Sequence, residues 1–518
     1  MRSAGYLLRL FFLSLFFIYH VSFAQVSVDI EALRDYIEEA RIAWNVPGMS
    51  VGVVYQGEIA FAEGFGQCEV ANKEKGKVDE NTLFAIASNT KAFIGTALSM
   101  LVEEGKLSWQ DKVRDHLPYF ALYDPYVSEN VRVEDLLCHR VGLGTFSGDV
   151  IWYKSDYTAE EVVKRIRHVP QAYGFRDGYG YSNLMFITAG ELIRAVSGQS
   201  WAEYIQAHIL TPLQMQRTQT SVSPLAKMEN VATPHKPVAG KNQAIPYANW
   251  DNMGAAGGII SSAADMSQWL LLQLNEGVRR GDTMFREAAQ YNMWHPHNSL
   301  YVSPGYKARY PHTNFRGYGL GWSLSDYHGH KVVAHGGGYD GMYSRVMMVP
   351  DAELGIVILT NSMKGISTYL ANYITDQYLG VKNPQDWKAL GLASQERGDA
   401  FRANRVQQRH DARMTDTKPA LKLVSYTGTY HSEMYGNIII KPQGDGFRME
   451  LPHAPSLNAT LSHWHYDTYL IEWDETHAWF DFGTLSFVIG NNGIVTGATF
   501  DVPNDDIFFE EIELVRVP

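Results

Sequence analysis

At 518 residues the chain exceeds the roughly 250 to 300 residues beyond which a single hydrophobic core stops growing, so two domains are expected. Hydrophobic residues at 45% against charged residues at 19% exclude global disorder. A formal net charge of -12 leaves no basic field for phosphate backbones or anionic headgroups, which argues against nucleic acid as a partner.

Residues 1–24 read as a cleaved signal peptide. Arg2 and Arg9 precede the apolar run Leu10 to Ile18, and small residues Ser22 and Ala24 stand at the minus three and minus one positions before Gln25. The run is about half of the ~20 residues that span a bilayer. A soluble protein in the periplasm or secreted is expected, with no membrane span after cleavage. Cys68 and Cys138 are the only cysteines; an oxidising compartment permits a bridge between them without making the fold depend on it.

Ile30, Leu33, Ile37, Ala40 and Trp44 recur at steps of three and four, predicting a helix that ends near Pro47 and packs on a sheet. Met49 to Tyr55 and Glu58 to Phe65 are β-rich runs joined by Gln56-Gly57, a hairpin that opens an antiparallel sheet. After a long middle section of helices and Gly- and Pro-rich loops, Val332 to Val333, Tyr343 to Val349 and Gly355 to Leu359 return as strands, so the sheet is built from both ends of the domain. Residues 384–419 are polar and read as a linker or solvated helix. From residue 420 to 518, short runs (Asn437 to Lys441, Phe447 to Leu451, Tyr469 to Trp473, Ser486 to Ile489, Gly497 to Val502) alternate with turn residues and predict a small β-barrel or sandwich.

Ser88-Asn89-Thr90-Lys91 precedes the apolar run Ala92, Phe93, Ala97, Leu98, Leu101, placing Ser88 at a helix start and Lys91 one turn on along the same face. A serine hydroxyl is a weak nucleophile. A lysine whose pKa is lowered by burial can take its proton, and helix-start amides favour developing negative charge. Such a tetrad also arises by chance, as a capping serine beside a solvated lysine, but no other serine here is followed by lysine at the third position.

Tyr181-Ser182-Asn183 follows Gly178-Tyr179-Gly180 and precedes a helical run. Tyr181 is placed to pass the proton to the leaving group, and Asn183 to hold a substrate carbonyl or to order Lys91. Tyr247-Ala248-Asn249 and Tyr435-Gly436-Asn437 repeat the triplet without that setting. His335-Gly336-Gly337-Gly338 closes a short β-run, where glycines let backbone approach a ligand. Backbone amides of Ser88 and Gly338 would form an oxyanion hole, with Gly337 beside it and His335 on the opposite wall. His328-Gly329-His330 and His463-Trp464-His465 lack a metal-site pattern, and no metal or cofactor is expected.

Ser-x-x-Lys, Tyr-Ser-Asn and His-Gly-Gly, in that order, resemble the class C β-lactamase and low-molecular-weight penicillin-binding protein superfamily. Leu136 to Leu143, Ala255 to Asp265 and Gly355 to Asn361 are similar to further stretches of that family. The resemblance implies an α/β (α+β) β-lactamase/transpeptidase-like domain over residues 25–383. Its central antiparallel sheet is flanked by helices, an all-helical region adjoins it, and Ser88 lies at their junction. Residues 420–518 resemble the lipocalin-like β-domain that often follows. The implied function is a serine hydrolase acting through an acyl-enzyme on an ester or amide of a small-molecule or peptide substrate, as a carboxylesterase or a D-amino-acid peptidase or amidase. A β-lactamase, or a receptor that acylates with little turnover, is the alternative. His335 stands where true β-lactamases have a lysine, removing a fixed charge for a substrate carboxylate, and Val141 stands where the family often has serine.

Overall fold

The computed structural model describes residues 28–518; the expected signal peptide lies outside the described residues. Helix α1 (Ile30–Ala43) starts at Asp29, whose side chain accepts from Ala32 N–H, and Arg41 closes the other end on Val46 O at 2.8 Å. Strands β1 (Gly48–Tyr55) and β2 (Glu58–Gly66) are joined by Gln56 and Gly57, both at positive φ, which matches the right-handed twist of a tight hairpin.

Helices α2 (Thr90–Glu103), α3 (Asn183–Ser197) and α4 (Ala263–Leu274) follow within the helical region. The sheet then resumes with β3 (Asn298–Leu300), β4 (Arg316–Tyr318), β5 (Ser323–Tyr327), β6 (His330–Tyr339), β7 (Met342–Val349) and β8 (Leu354–Thr360). The order is β2-β1-β8-β7-β6-β5-β4-β3, antiparallel throughout, so the chain's first hairpin pairs with its last strand. β1 and β8 are buried on both faces because α4 packs on one side while α1 and α5 (Ile366–Leu379) fill the other. Gly52 lets α4 cross closely: a Cβ there would lie 2.7 Å from Ser267 Oγ. Phe93 stacks on Trp269 at 3.9 Å, tying α2 to α4. One departure from the sequence expectation is β6, which does not stop at His335 but runs through the glycines to Tyr339, paired with β7 along its length.

Helix α6 (Trp387–Asp411) is fully buried only at Trp387 and Gly391, with Leu390 and Leu392 partly buried against the core. Trp387 is buried and donates its indole N–H to Asp376 Oδ2 at 2.7 Å, while Tyr327 OH donates to the other oxygen. Trp387→Phe therefore strands half of a buried carboxylate. We expect a loss of about 1–3 kcal/mol, read by urea denaturation, because a buried acceptor left without its donor carries its desolvation cost.

Eight further strands close a barrel: β9 (Gly428–Ser432), β10 (Gly436–Gln443), β11 (Gly446–Glu450), β12 (Ala459–His465), β13 (Thr468–Trp473), β14 (Thr484–Ile489), β15 (Val495–Asp501) and β16 (Leu514–Arg516). Its interior is filled by aromatic rings, with Phe487 within 5.0 Å of Tyr426 and 5.7 Å of Phe447 and Tyr469. The barrel docks on the helical region and on the turn between β6 and β7 through polar contacts. Tyr157 OH donates to Tyr435 O at 2.7 Å, Trp479 Nε1 to Asp340 Oδ1 at 2.6 Å, and Gly148 N to Glu511 Oε2 at 2.6 Å. Both cysteines are buried and free. No helix among the described residues is long and apolar enough to cross a membrane.

Candidate active site

The chain reaches Ser88 through the two-residue strand Phe84–Ala85 and a turn, Ala87–Asn89, that leads directly into α2. Ala87 holds φ +47, a conformation that costs a non-glycine residue roughly 1–2 kcal/mol and persists only where the surroundings enforce it. They do so here. Asn89 Nδ2 donates to Ser344 Oγ at 2.8 Å and Ser344 Oγ donates to Ile86 O at 2.7 Å, bracing the turn against β7.

Lys91 is fully buried on the first turn of α2. Its Nζ lies 3.1 Å from Ser88 Oγ, 2.7 Å from Asn183 Oδ1 and 2.8 Å from Ala256 O, with no carboxylate in contact. Burial lowers its pKa to about 7, with the Asp149 carboxyl opposing. A neutral amine has two N–H donors and one lone pair. Here Asn183 Oδ1 and Ala256 O take the donors, which leaves the lone pair for the Ser88 hydroxyl.

Asn183 opens α3 and spends both ends of its amide on this arrangement, because Nδ2 donates to Asp149 Oδ2 at 2.6 Å. Of the two tasks the sequence left open for Asn183, its Oδ1 orders Lys91, and the second N–H of Nδ2, on the cavity wall, keeps a donor for a substrate carbonyl. Asp149 is buried, and burial pushes its carboxyl up to about 8. It is a site residue that sequence reasoning missed.

The Tyr181 ring lies 4.8 Å from Lys91 Nζ, and burial, partly offset by the neighbouring Ser88 hydroxyl, pushes the phenol well above its usual pKa. It is held as a neutral phenol. The ring stacks obliquely on buried His139 at 4.3 Å, and His139 Nδ1 accepts from Ser182 N–H at 3.0 Å. On the opposite wall His335 is buried, and desolvation, followed by the nearby Lys91 charge, lowers its pKa to about 3. Its Nδ1 faces Gly336 O at 2.6 Å and its Nε2 faces Tyr318 OH at 2.7 Å. A carbonyl only accepts, so Nδ1 carries the proton and Nε2 accepts from the tyrosine. His335 therefore offers no positive charge.

Ser88, Tyr181, Asn183, His335 and Gly338 line one cavity of about 300 Å³. Gly337 does not line it: a Cβ there would collide with Ile86 O and Ser344 Oγ, so this glycine lets β6 press against the Ser88 turn. Asp149, Trp152 and Trp250 complete the wall from the helical region, and Trp479, Asp506 and Ile507 reach in from the barrel. The paired histidines elsewhere have local partners. His330 Nδ1 bonds Asp351 at 2.7 Å, and His463 Nε2 meets Tyr466 O at 3.0 Å. Among the described residues no group of three or more His, Cys, Asp or Glu could hold a metal ion.

The profile of the Beta-lactamase family matches residues 33–378, two thirds of the chain. The chain belongs to the beta-lactamase family. Residues 412–516 of this beta-lactamase family member match a second profile, Domain of unknown function (DUF3471), which spans the barrel. Unguisins hydrolase ungD of Aspergillus violaceofuscus is 28% identical over 452 residues, covering 79% of this chain and 76% of that protein. Protein flp of Staphylococcus aureus is 28% identical over 352 residues, covering 65% and 64%. The octameric penicillin-binding protein homologue from Pyrococcus abyssi superposes with a TM-score of 0.62 at 22% identity, over 94% of this chain and 100% of that one. A D-stereospecific amidohydrolase from Streptomyces sp. superposes at 0.54 and 22% identity, over 68% and 100%. The protein is thus a serine hydrolase of the beta-lactamase fold with a C-terminal eight-stranded barrel.

Proposed function

We propose that this protein hydrolyses an ester or amide bond of a small molecule or peptide through an acyl-enzyme on Ser88. The observation that carries the reading is the buried Lys91 amine, 3.1 Å from Ser88 Oγ with both of its donors spent elsewhere. Ser88 Oγ attacks the carbonyl carbon as its proton passes to Lys91 Nζ. The carbonyl oxygen takes up the electron pair facing the backbone N–H groups of Ser88 and Gly338. Collapse of the adduct breaks the bond to the leaving group, which receives a proton relayed through the neutral Tyr181 phenol. Water then attacks the acyl ester, its proton returning along the same path, and the carboxylic acid departs.

The relatives named a hydrolase and an amidohydrolase support bond cleavage with turnover. The neutral His335 speaks against a β-lactam's carboxylate, which needs a cation that this wall does not offer. We further propose that the chain is exported, a reading supported by the leader-like residues 1–24.

The reading is tested by steady-state hydrolysis of a p-nitrophenyl ester, an alanyl anilide and a chromogenic cephalosporin, with Ser88→Ala as the blank. Turnover of the ester or the anilide, absent in the variant, is the expected result. Preferred turnover of the cephalosporin, or turnover that survives the substitution, would sink it.

A further inference from the structure

The cavity beside Ser88 is walled by carboxyl groups rather than cations. Asp149 lines it from the helical region, fully buried, with Oδ2 held by Asn183 and Oδ1 near the Trp152 indole but in no well-formed hydrogen bond. Asp506 lines it from the barrel loop between β15 and β16. Among the described residues, the Asp506 carboxyl has neither a hydrogen bond nor an ion pair. Its flanking charges are committed: Arg402 pairs with Asp399 at 2.6 Å and reaches Asp505 at 3.7 Å, and Asp505 is held by Arg405 at 2.9 Å. Asp340, the other nearby acid, is satisfied by Trp479 Nε1 and Tyr153 OH. Asp506 is the acid left over.

The loop that presents it is fixed. Asn504 is buried, its Oδ1 accepts from the backbone N–H groups of Asp506 and Ile507 at 3.0 and 2.6 Å, and its Nδ2 donates to Val502 O and Ile507 O at 2.8 and 2.7 Å. A side chain held at this expense, unpaired beside a nucleophile, is arranged for an incoming partner. Burial raises the Asp506 carboxyl to about 7, with Asp505 and Asp340 adding to the shift and Arg402 opposing it, a state that a bound cation would relieve. The remaining walls include Phe146, Trp152, Trp250 and Trp479, aromatic faces that attract an ammonium group.

We propose that Asp506, with Asp149 opposite, forms a subsite for the free ammonium group of the acyl part of the substrate, so that the protein acts on aminoacyl amides, esters or short peptides with an unblocked amine. The inference rests on the reading of Ser88 as nucleophile. A cavity of about 300 Å³ sits at the small end of ligand pockets and suits one amino-acid residue on the acyl side. The barrel thereby becomes part of the specificity determinant, since Asp506 and Trp479 both come from it.

The test compares both enantiomers of alanine p-nitroanilide with their N-acetyl counterparts. For the better enantiomer, the free amine should exceed the acetylated form in kcat/KM by about 30-fold or more, equivalent to about 2 kcal/mol at 1.4 kcal/mol per tenfold. Asp506→Asn should reduce that ratio to below about threefold. A ratio near one in the unaltered enzyme, or a ratio that Asp506→Asn leaves standing, overturns the subsite. Should the variant fold poorly, inhibition of p-nitrophenyl acetate hydrolysis decides with the unaltered protein: benzylamine should inhibit at least about 30-fold more tightly than benzyl alcohol, and equal or weaker inhibition refutes the proposal. Ester turnover lost in Ser88→Ala reports on the nucleophile alone, so failure of the subsite and failure of the mechanism are told apart.

Discussion

Lys91→Arg and Lys91→Met should each lower kcat/KM by about a thousandfold or more, the upper range for removal of a positioned general base, while the unaltered enzyme gains activity with rising pH through an inflection near 7. The sign follows from which form of the amine works. Burial disfavours the ammonium and lowers the Lys91 pKa to about 7; only the neutral amine has a lone pair for the Ser88 proton. Activity is thus absent well below the inflection and complete above it. Arginine cannot serve, because a guanidinium stays protonated and has no lone pair to offer. Methionine fills similar volume but strands Asn183 Oδ1 and Ala256 O without a donor. Tyr181 does not replace the base, since its phenol is held well above its usual pKa. Asp149→Asn supplies an internal check: removing the carboxyl that opposes the burial effect should move the inflection below 7. A pH profile of kcat/KM on a neutral ester measures all of this, and a flat profile, or one falling with pH, would remove Lys91 from the role of base.

The elements most legible from residues were those whose local signal and tertiary setting agree. Gln56-Gly57 between two β-rich runs specified its hairpin because both positions adopt positive φ. The three- and four-step spacing of Leu33, Ile37 and Ala40 described the buried face of α1. Where a local signal has two uses, the sequence could not choose between them. Gly336 to Gly338 looked like the end of a strand, yet pairing with β7 needs only backbone, so β6 continues. Asn183 had two available tasks, and no local signal says that Lys91 takes its amide oxygen while Asp149, brought in by a loop, takes one of its two N–H groups. The contribution of the barrel was beyond reach. Ser147 and Glu511 meet at 2.5 Å across 364 positions, and no periodicity or motif announces that Trp479 and Asp506 reach a cavity built by residues 88 to 338. Strand β12 lacks a clean alternation to announce it, because its buried positions Ala459, Leu461 and Trp464 lose the two-residue step next to the register shift between His463 and His465.

Gly337→Ala should lower kcat/KM by about a hundredfold or more, whereas Gly338→Ala should cost less than about tenfold, although the two positions adjoin and only the second faces the cavity. The asymmetry comes from what a methyl group would meet. At 337 it would overlap Ile86 O and Ser344 Oγ, two of the atoms that brace the strained Ala87 turn, and the Ala87 Cβ lies 3.1 Å off. Neither backbone atom nor hydroxyl can yield without moving β6 away from Ser88, and a displacement near 1 Å in a reacting geometry costs about a hundredfold. At 338 the methyl meets Trp479 and Tyr343 ring atoms at 3.4 Å, ordinary contact at the edge of the site. If residue 338 acts through its backbone N–H, as the proposed oxyanion role requires, a methyl at its Cα leaves that donor in place. Steady-state kinetics on a neutral ester, with thermal melts to confirm folding, separate the cases. Equal losses at both positions would mean that the close approach of β6 to the nucleophile turn is not what the run of glycines secures.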